Sequence, residues 1–168
     1  MNSRELYLDV NDFIVTKTDK SGRITYCNDA FMEFSGFLEE DLLGKNDDVI
    51  YHDEMPRSVF QLMKDTLQQE NEFIGIIKNK RKNGGAFWSF INVTPSFDSK
   101  NQLLGYLSIH RYPHAKAIDF FAPLYQEMLA KEQQLSGSAN SLDESLHIMM
   151  SAVAISGDYN EHVSSYYR

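Results

Sequence analysis

Cysteine is almost absent from this sequence, because the 168 residues include only Cys27. A single thiol cannot form an internal disulfide or a thiolate metal cage, so we expect a reducing environment. Long apolar runs are also missing, since no stretch approaches the roughly 18–20 continuous apolar residues that a membrane span needs. The first ten residues, MNSRELYLDV, carry acids and no apolar signal core. These absences predict a cytoplasmic protein without direct membrane insertion.

Positive charge is in the minority, with 16 Lys and Arg against 24 Asp and Glu and a formal net charge of −8. That balance argues against a polyanion as the main partner. The basic residues cluster once, at Lys78, Lys80, Arg81 and Lys82, around an Asn-Gly pair that strongly indicates a tight hairpin. We interpret this cluster as a solvated hairpin tip and predict no binding of nucleic acid.

Hydrophobic residues make up 42 % of the chain, which is enough to form a core, and their periodicity predicts the elements. Alternation with a period of two predicts five strands, at 13–19, 23–28, 73–82, 86–97 and 103–111. Two short helices ending in glycine and a longer helix over 55–69 separate the second strand from the third. We therefore expect an α+β fold, with a five-stranded antiparallel sheet and short helices on one face.

The pattern changes near residue 114, where a C-terminal helical extension is predicted. Residues 115–135 carry an apolar helical stripe, SGSANS is a flexible break, and Ser141 with Glu144 forms a capping box before LHIMMSAVA. The chain then divides into a lead-in over 1–11, mobile or forming a short cap, a domain over 12–113 and an extension over 114–168. The extension has more apolar surface than a lone exposed helix, so we expect it to pack on the domain or on a partner chain.

Two neighbouring strands carry a mixed face. One face of the third strand and one face of the fourth are apolar but include small and polar residues; the residues concerned are Phe73, Gly75, Ile77, Asn79, Phe87, Ser89, Ile91 and Val93. Such a face suits the wall of a ligand cavity, and it suits a solid core with hydrogen-bonded polar groups equally well. Periodicity alone leaves both alternatives open.

Four stretches in this order resemble a PAS domain: ITYCNDAFMEFSGFLEEDLLGK, HDEMPRSVF, FIGIIKNKRKNGGAFW and GYLSIHR. More narrowly, the spacing of HDEMP and KNKRKNG is similar to the PAS sensor of the aerotaxis receptor family. The resemblance covers about residues 13–112, so residues 12–113 are predicted to be the PAS sensor domain. It implies FAD held non-covalently between sheet and helices, and a redox or oxygen sensor that signals to a chemotaxis-like transducer protein. A homodimer is the common arrangement of such domains.

The resemblance also implies site residues. Asn28 matches the family's Asn after the second strand, and His52 matches the His before its long helix. Phe73 stands where the family has a Trp, Trp88 matches a Trp of a strand, and Ser108 matches a Ser of the last strand. We expect these five residues to contact the cofactor.

Analogy with the related flavin-binding LOV domains adds three residues. Asn79, Ser89 and His110 fall where polar side chains meet the polar edge of the flavin. The chain departs from the aerotaxis pattern at Tyr51, which replaces an Arg. Arg binds phosphate in bidentate fashion and Tyr cannot, so FMN stands as an alternative to FAD.

Other chemistries define the alternatives. The segment 44–51 has no cysteine to form a LOV-type adduct, and Cys27 is expected to pack as a small apolar residue. A haem-binding PAS sensor would need an axial ligand, for which His52 is the candidate because the helix over 55–69 has no histidine. A cofactor-free interaction module, with the extension dimerising or docking a partner, is the remaining alternative.

Catalysis and metal binding find no support in the sequence. His52, Asp53 and Glu54 are consecutive, so their side chains point apart and cannot converge on one metal. There is no nucleophile with a spaced base and no phosphate-binding glycine loop. A flavin enzyme would need an acid or base near the ring, for which His110 is the only candidate. We therefore predict a signalling module rather than an enzyme, with no catalytic residues and no metal site.

Overall fold

The computed structural model describes residues 5–154 and 158–167; the predicted lead-in thus lies in part outside the described residues, as does the end of the extension. The strands are β1 (Leu6–Tyr7), β2 (Ile14–Asp19), β3 (Ile24–Cys27), β4 (Phe73–Lys80), β5 (Ala86–Phe97) and β6 (Leu103–Arg111). The helices are α1 (Asp29–Ser35), α2 (Glu39–Leu42), a 3₁₀ turn (Asp47–Ile50), α3 (Arg57–Gln68), α4 (Ala115–Gln134), α5 (Ser141–Val153) and α6 (Tyr159–Ser165).

The five predicted strands form one antiparallel sheet in the order β4-β5-β6-β2-β3, so the predicted α+β class is confirmed. A sixth strand was not predicted. β1 pairs in parallel with β5, and its two residues lie opposite Phe87 and Trp88, beyond the point where β6 ends its pairing. Part of the lead-in is therefore a strand of the sheet. Two residues are too short to show a period, which explains why the pattern missed it.

The buried side chains form two clusters rather than one. The smaller cluster joins β2, β3, α1 and the 3₁₀ turn, around Ile14, Phe31 and Ile50. The larger cluster joins α3, the β4–β5 hairpin and the C-terminal helices, around Val59 and Phe121. An interior cavity is lined by members of both clusters, so side chains alone do not fill the core.

The C-terminal helices pack on their own domain. α4 lies along β4, α5 packs against α4 and α3, and α6 packs against β4. The hydroxyl of Tyr125 on α4 donates to the backbone oxygen of Ile76 at 2.8 Å, and the backbone N–H of Lys78 points to the sulfur of Met55 at 3.4 Å. The outer edge of β4 is thus contacted by side chains at two backbone positions. Within the described residues, none of the helices combines the length and apolar character that crossing a bilayer requires.

Candidate functional site: an interior cavity

The cavity has a volume of about 540 Å³, which lies within the range of small-molecule and cofactor sites. The inner face of the sheet forms one wall, with Thr16, Thr18, Ile77, Asn79, Ile91, Val93, Tyr106, Ser108 and His110. The other wall comes from α1, the 3₁₀ turn and α3, and includes Phe31, Ile50, Tyr51, Phe60, Gln61 and Leu67. The walls combine apolar and aromatic side chains with a similar number of polar ones, so the cavity suits a ligand that has both an apolar body and polar groups.

Three polar side chains form a hydrogen-bonded chain across three strands. The Nδ2 of Asn79 on β4 donates to the Oγ of Ser89 on β5 at 2.9 Å, and that Oγ lies 2.9 Å from the Nδ1 of His110 on β6. The residues are 1 %, 0 % and 2 % exposed. The sheet register explains the meeting, because Ser89 pairs with Ile77 and His110 with Ile91, which places all three on the inner face within two residues of each other.

One tautomer of His110 gives the hydrogen of the Ser89 hydroxyl a partner within this chain. Ser89 accepts from Asn79, so its own hydrogen has a partner when the Nδ1 of His110 accepts it. His110 is then the tautomer with its hydrogen on Nε2. Burial lowers the pKa of His110 to about 4, so the ring is neutral at ordinary pH.

Two polar atoms of this chain remain available to a ligand. Among the described residues, neither Oδ1 of Asn79 nor Nε2 of His110 has a hydrogen-bond partner, and both side chains line the cavity. Two weak contacts of the Asn79 Nδ2, at 3.4 Å to the backbone oxygens of Ile77 and Phe87, orient the amide so that its oxygen is the free atom. The sheet side of the cavity, called the deep wall below, thus offers a ligand one acceptor, Oδ1 of Asn79, and one donor, the Nε2–H of His110.

The mouth of the cavity combines aromatic and charged groups. Tyr51 stacks on Phe60, and Asp47 lies beside them on the 3₁₀ turn. Burial raises the pKa of Asp47 to about 6, although the neighbouring Tyr51 hydroxyl acts in the opposite direction. Three cations, Lys20, Arg57 and Lys64, also line this region. Asp47 and Asp48 offset part of this positive charge, and the cation that remains in excess could face an anionic group of a ligand while an uncharged ring occupies the interior.

The predicted site residues separate into two groups. Asn79, Ser108 and His110 line the cavity, and Ser89 lies directly behind it in the hydrogen-bonded chain. The structure brings these four together. Their convergence follows from the inward alternation of β4, β5 and β6.

Four other predicted residues do not line the cavity. Trp88 lies on the opposite face of β5 from Ser89 and stacks against Tyr125 of α4, with 6.4 Å between ring centroids. Phe73 lies at the far end of β4, where it stacks against Tyr159 of α6 with 6.1 Å between centroids. In this structure both rings pack against the C-terminal helices and neither lines the cavity, so their contact with a cofactor stays a prediction.

Asn28 has a structural role instead. Its Oδ1 accepts from the backbone N–H groups of Val15 and Phe31, at 3.0 and 3.1 Å, and its Nδ2 donates to the backbone oxygen of Phe13 at 2.8 Å. It thereby caps α1 and ties that helix to β2. Both polar atoms of the side chain thus bind the backbone, and Asn28 does not line the cavity.

His52 lies outside the residues that line the cavity. Its Nδ1 accepts from the backbone N–H of Glu54 at 3.1 Å, and its ring is near Lys78, while burial lowers its pKa. This places His52 in the turn before α3. His52 therefore does not face the cavity in this structure, and its role as an axial haem ligand stays a prediction.

Gly75 lies on the mixed face of β4 but does not line the cavity. A Cβ at this position would lie 2.9 Å from the ring of Phe73 and 3.0 Å from the hydroxyl oxygen of Tyr159. The glycine makes room for α6 to approach the strand. Its small size serves packing rather than a ligand.

The basic hairpin tip is neutralised from within the chain. Lys78 pairs with Glu54 at 2.6 Å, Lys82 with Asp41 at 2.5 Å and Lys80 with Asp53 at 4.0 Å. Arg81 donates to the backbone oxygen of Phe34 at 2.6 Å. The geometry supports the interpretation of this cluster as part of a folded hairpin.

Sequence patterns did not identify several residues of the site. Phe60 lies in α3 next to the buried Val59, and its nine-residue separation from Tyr51 gave no local signal that the two rings would stack. Leu142, at the start of α5, also lines the cavity, although it comes from the extension. Among the described residues, no group of three or more His, Cys, Asp or Glu side chains is arranged to hold a metal.

Comparison with known proteins places this geometry in a family. The family model described as PAS domain matches residues 11–112. The chain is 32 % identical over 117 residues to the aerotaxis receptor of Escherichia coli K12, an alignment that covers 70 % of this chain and 23 % of the receptor. It is 31 % identical over 97 residues to the nitrogen fixation regulatory protein of Klebsiella pneumoniae, covering 58 % of this chain and 20 % of that protein.

A solved structure agrees on the fold. The light-state structure of the LOV domain of the blue-light photoreceptor aureochrome1 superimposes with a TM-score of 0.55 at 20 % identity, and the match covers 73 % of this chain and 90 % of that one. The chain spans less than a quarter of each of the two curated relatives. The likeness to those relatives concerns one domain of each.

Proposed function

The chain belongs to the PAS domain family, and we propose that it is a sensory module that binds FAD non-covalently in the interior cavity. We further propose that it reports redox or oxygen state to a signalling transducer in the cytoplasm, and that it acts as a homodimer. The module transmits a signal and does not catalyse a reaction. The relation to an aerotaxis receptor supports this class of function.

The observation that carries the proposal is the free donor and acceptor at the deep wall. The ring system of a flavin has an apolar body and one edge with alternating hydrogen-bond donors and acceptors. Oδ1 of Asn79 would accept from that edge and the Nε2–H of His110 would donate to it, while Ile77 and Ile91 pack against the body. The residues present therefore fit a flavin.

The positive charge at the mouth of the cavity supports the binding of a dinucleotide such as FAD. Tyr51 stands where the aerotaxis pattern has an Arg, but Arg57, Lys64 and Lys20 supply positive charge along the same opening. The Nε of Arg57 lies 4.0 Å from the buried Glu132 carboxylate, while its side chain is 76 % exposed, so its outer N–H groups point toward solvent where a phosphate would enter. FMN carries a phosphate as well and is the closest competitor for this arrangement.

A bound flavin would supply electron and proton transfer at its ring, and the protein residues would respond to it. A change of charge at the polar edge would alter the hydrogen bonds of Asn79 and His110. Because Ser89 connects those two residues across the sheet, such a change would reach three strands together. A sensor needs such a local electrostatic event coupled to an element that can shift.

The first experiment is an absorption spectrum of the purified protein before and after dithionite. A flavin doublet in the blue region that bleaches on reduction supports the proposal, and chromatography of the heat-released cofactor separates FAD from FMN. Ser89→Ala should weaken FAD binding about five- to tenfold, because it breaks a buried hydrogen-bonded chain. Ser96→Ala is the matched control, because it makes the same change on the same strand outside the cavity lining, and it should bind FAD like the wild type.

Other spectra would select other functions. A sharp Soret band would overturn the flavin proposal in favour of haem. A colourless protein that also fails to take up added FAD would favour a cofactor-free interaction module. The stacked pair Tyr51–Phe60 is the observation that favours this second candidate, since two aromatic rings already occupy part of the opening.

A further inference from the structure

A buried carboxylate from the C-terminal extension caps the helix that lines the cavity. Glu132 on α4 is 7 % exposed, and its two oxygens accept hydrogen bonds from the backbone N–H groups of Arg57 and Ser58, both at 3.0 Å. These are the first two residues of α3, which lie 75 and 74 positions earlier in the chain. The extension therefore completes a helix of the domain.

The start of α3 needs a partner from elsewhere. Its N-cap residue is Pro56, which makes no side-chain hydrogen bond to the helix. The first turn of any helix leaves backbone N–H groups without intrahelical acceptors, and a negative charge there is favourable. Ser, Thr, Asp or Asn at the cap usually meets this need, whereas here Glu132 meets it from another helix.

The same carboxylate extends the contact to α5. The Oγ of Ser145 donates to Oε1 of Glu132 at 3.0 Å and lies 2.9 Å from the Oγ of Ser58. Ser141, at the start of α5, donates to the backbone oxygen of Glu132 at 3.3 Å. One buried cluster, formed by Glu132, Ser58, Ser141 and Ser145, thus joins α3, α4 and α5.

This cluster lies next to the cavity wall. α3 presents Phe60, Gln61 and Lys64 to the cavity, all within two turns of the capped end. α5 reaches the cavity through Leu142, which adjoins Ser141 in the chain. A displacement of the extension would therefore release the start of α3 and remove part of the cavity lining in the same event.

We propose that the C-terminal extension is part of the ligand site, and that Glu132 is the positioning residue that holds the first turn of α3 against the cavity. Ligand binding and the docking of α4 and α5 then stabilise each other, because each favours the same arrangement of α3. The inference rests on the proposed ligand cavity but not on the ligand being a flavin.

The first test needs no ligand. Amide hydrogen exchange of the full chain is compared for the wild type, Glu132→Gln and Glu127→Gln; Glu127 is an exposed residue of the same helix and controls for the loss of charge. We expect the amides of Arg57, Ser58 and α5 to exchange about tenfold faster in Glu132→Gln alone, from loss of the cap. Unchanged exchange at these amides, or a uniform acceleration throughout the sheet, would overturn the positioning role.

A second variant, Ser145→Ala, keeps the test decisive if Glu132→Gln does not fold. Ser145→Ala keeps the carboxylate on α3 but removes its link to α5, so exchange should accelerate in α5 while the amides of Arg57 and Ser58 keep their protection. Equal acceleration at both places would contradict the assignment of Glu132 as the residue that holds α3.

The ligand arm uses FAD. We expect FAD to slow exchange in α5 of the wild type, to lose that effect in Glu132→Gln, and to bind this variant about five- to tenfold more weakly, in line with the reciprocity of coupled equilibria. Equal FAD affinity in the two proteins, together with faster exchange in the variant, would overturn the coupling. If the wild type does not bind FAD, the flavin proposal fails, and the ligand-free exchange decides the role of Glu132 by itself.

Discussion

The ring of Tyr51 lies flat on the ring of Phe60, with 3.7 Å between the centroids and 2° between the planes. Tyr51 directly follows the 3₁₀ turn and Phe60 lies in α3, so the pair joins two segments of the cavity mouth. Burial raises the pKa of Tyr51 well above its ordinary range, which keeps the hydroxyl protonated. An uncharged aromatic contact thus stands where the aerotaxis pattern has a cation.

Tyr51→Ala should therefore destabilise the ligand-free protein by about 1–3 kcal/mol, because it removes a stacked ring and its apolar contacts. Tyr51→Phe keeps the stack and should remain within about 0.5–1 kcal/mol of the wild type. Urea unfolding at pH 7.5 measures both. Equal stability of the alanine variant and the wild type would show that the stack contributes nothing to the domain.

The buried neutral His110 predicts a pH dependence of stability. The pKa of this group falls from 6.5 to about 4 on folding, because burial disfavours the charged ring. Between these values the unfolded chain binds more protons than the folded one, so its contribution to stability rises with pH from about 4 to 6.5. The contribution is complete above pH 6.5, is lost as pH falls toward 4, and amounts to about 3 kcal/mol.

The measurement is urea unfolding of the wild type and His110→Gln at pH values from 4.5 to 7.5. The difference between them isolates His110 from other groups, including Asp47, whose raised pKa acts in the opposite direction. His147→Gln, at an exposed position of α5, is the control and should follow the wild-type profile. Parallel profiles for all three proteins would contradict a buried neutral His110.

Gly75→Ala tests the packing of α6 on β4. The new Cβ would lie 2.9 Å from the Phe73 ring and 3.0 Å from the Tyr159 hydroxyl, so we expect a loss of about 1–3 kcal/mol from overpacking. Tyr159→Phe removes a buried hydroxyl that lies near the hydroxyl of Tyr125 but makes no hydrogen bond of normal geometry among the described residues, so this change alone should cost less than about 1 kcal/mol.

A double-mutant cycle separates the two effects. The cost of Gly75→Ala should decrease in the Tyr159→Phe background, since part of the crowding comes from the hydroxyl oxygen. If the losses of unfolding free energy from the two substitutions simply add, the crowding comes from the Phe73 ring alone.

Cys27 should be inert in the folded protein. It is 4 % exposed, and burial raises the pKa of its thiol, so the reactive thiolate is scarce and shielded. We expect a thiol reagent such as DTNB to label it only as fast as the protein unfolds. Ser99→Cys, in the exposed turn before β6, supplies a thiol that should react at once; rapid labelling of the wild type would contradict the burial.

The longer strands β2, β4, β5 and β6 were predictable because their hydrophobic pattern extends over six or more residues and is bounded by turn residues. The same alternation assigns Trp88 to the face of β5 opposite Ser89, so the two residues could not both have faced the cavity. Family similarity matched the type of residue but carried no information on what the C-terminal helices cover. Glu132 could not be predicted at all. A single acid in a polar stretch of helix gives no local signal that it binds the backbone of Arg57, 75 residues earlier in the chain.

The contacts of Tyr125 and Met55 with β4 have a consequence for the behaviour of the chain in a crowded solution. Uncovered strand edges invite the strands of other molecules to pair with them, and such pairing can continue from copy to copy. α4 occupies that edge through Tyr125. A shortened chain that lacks α4 would expose a β-branched strand to its neighbours, so the extension also protects the domain against aggregation.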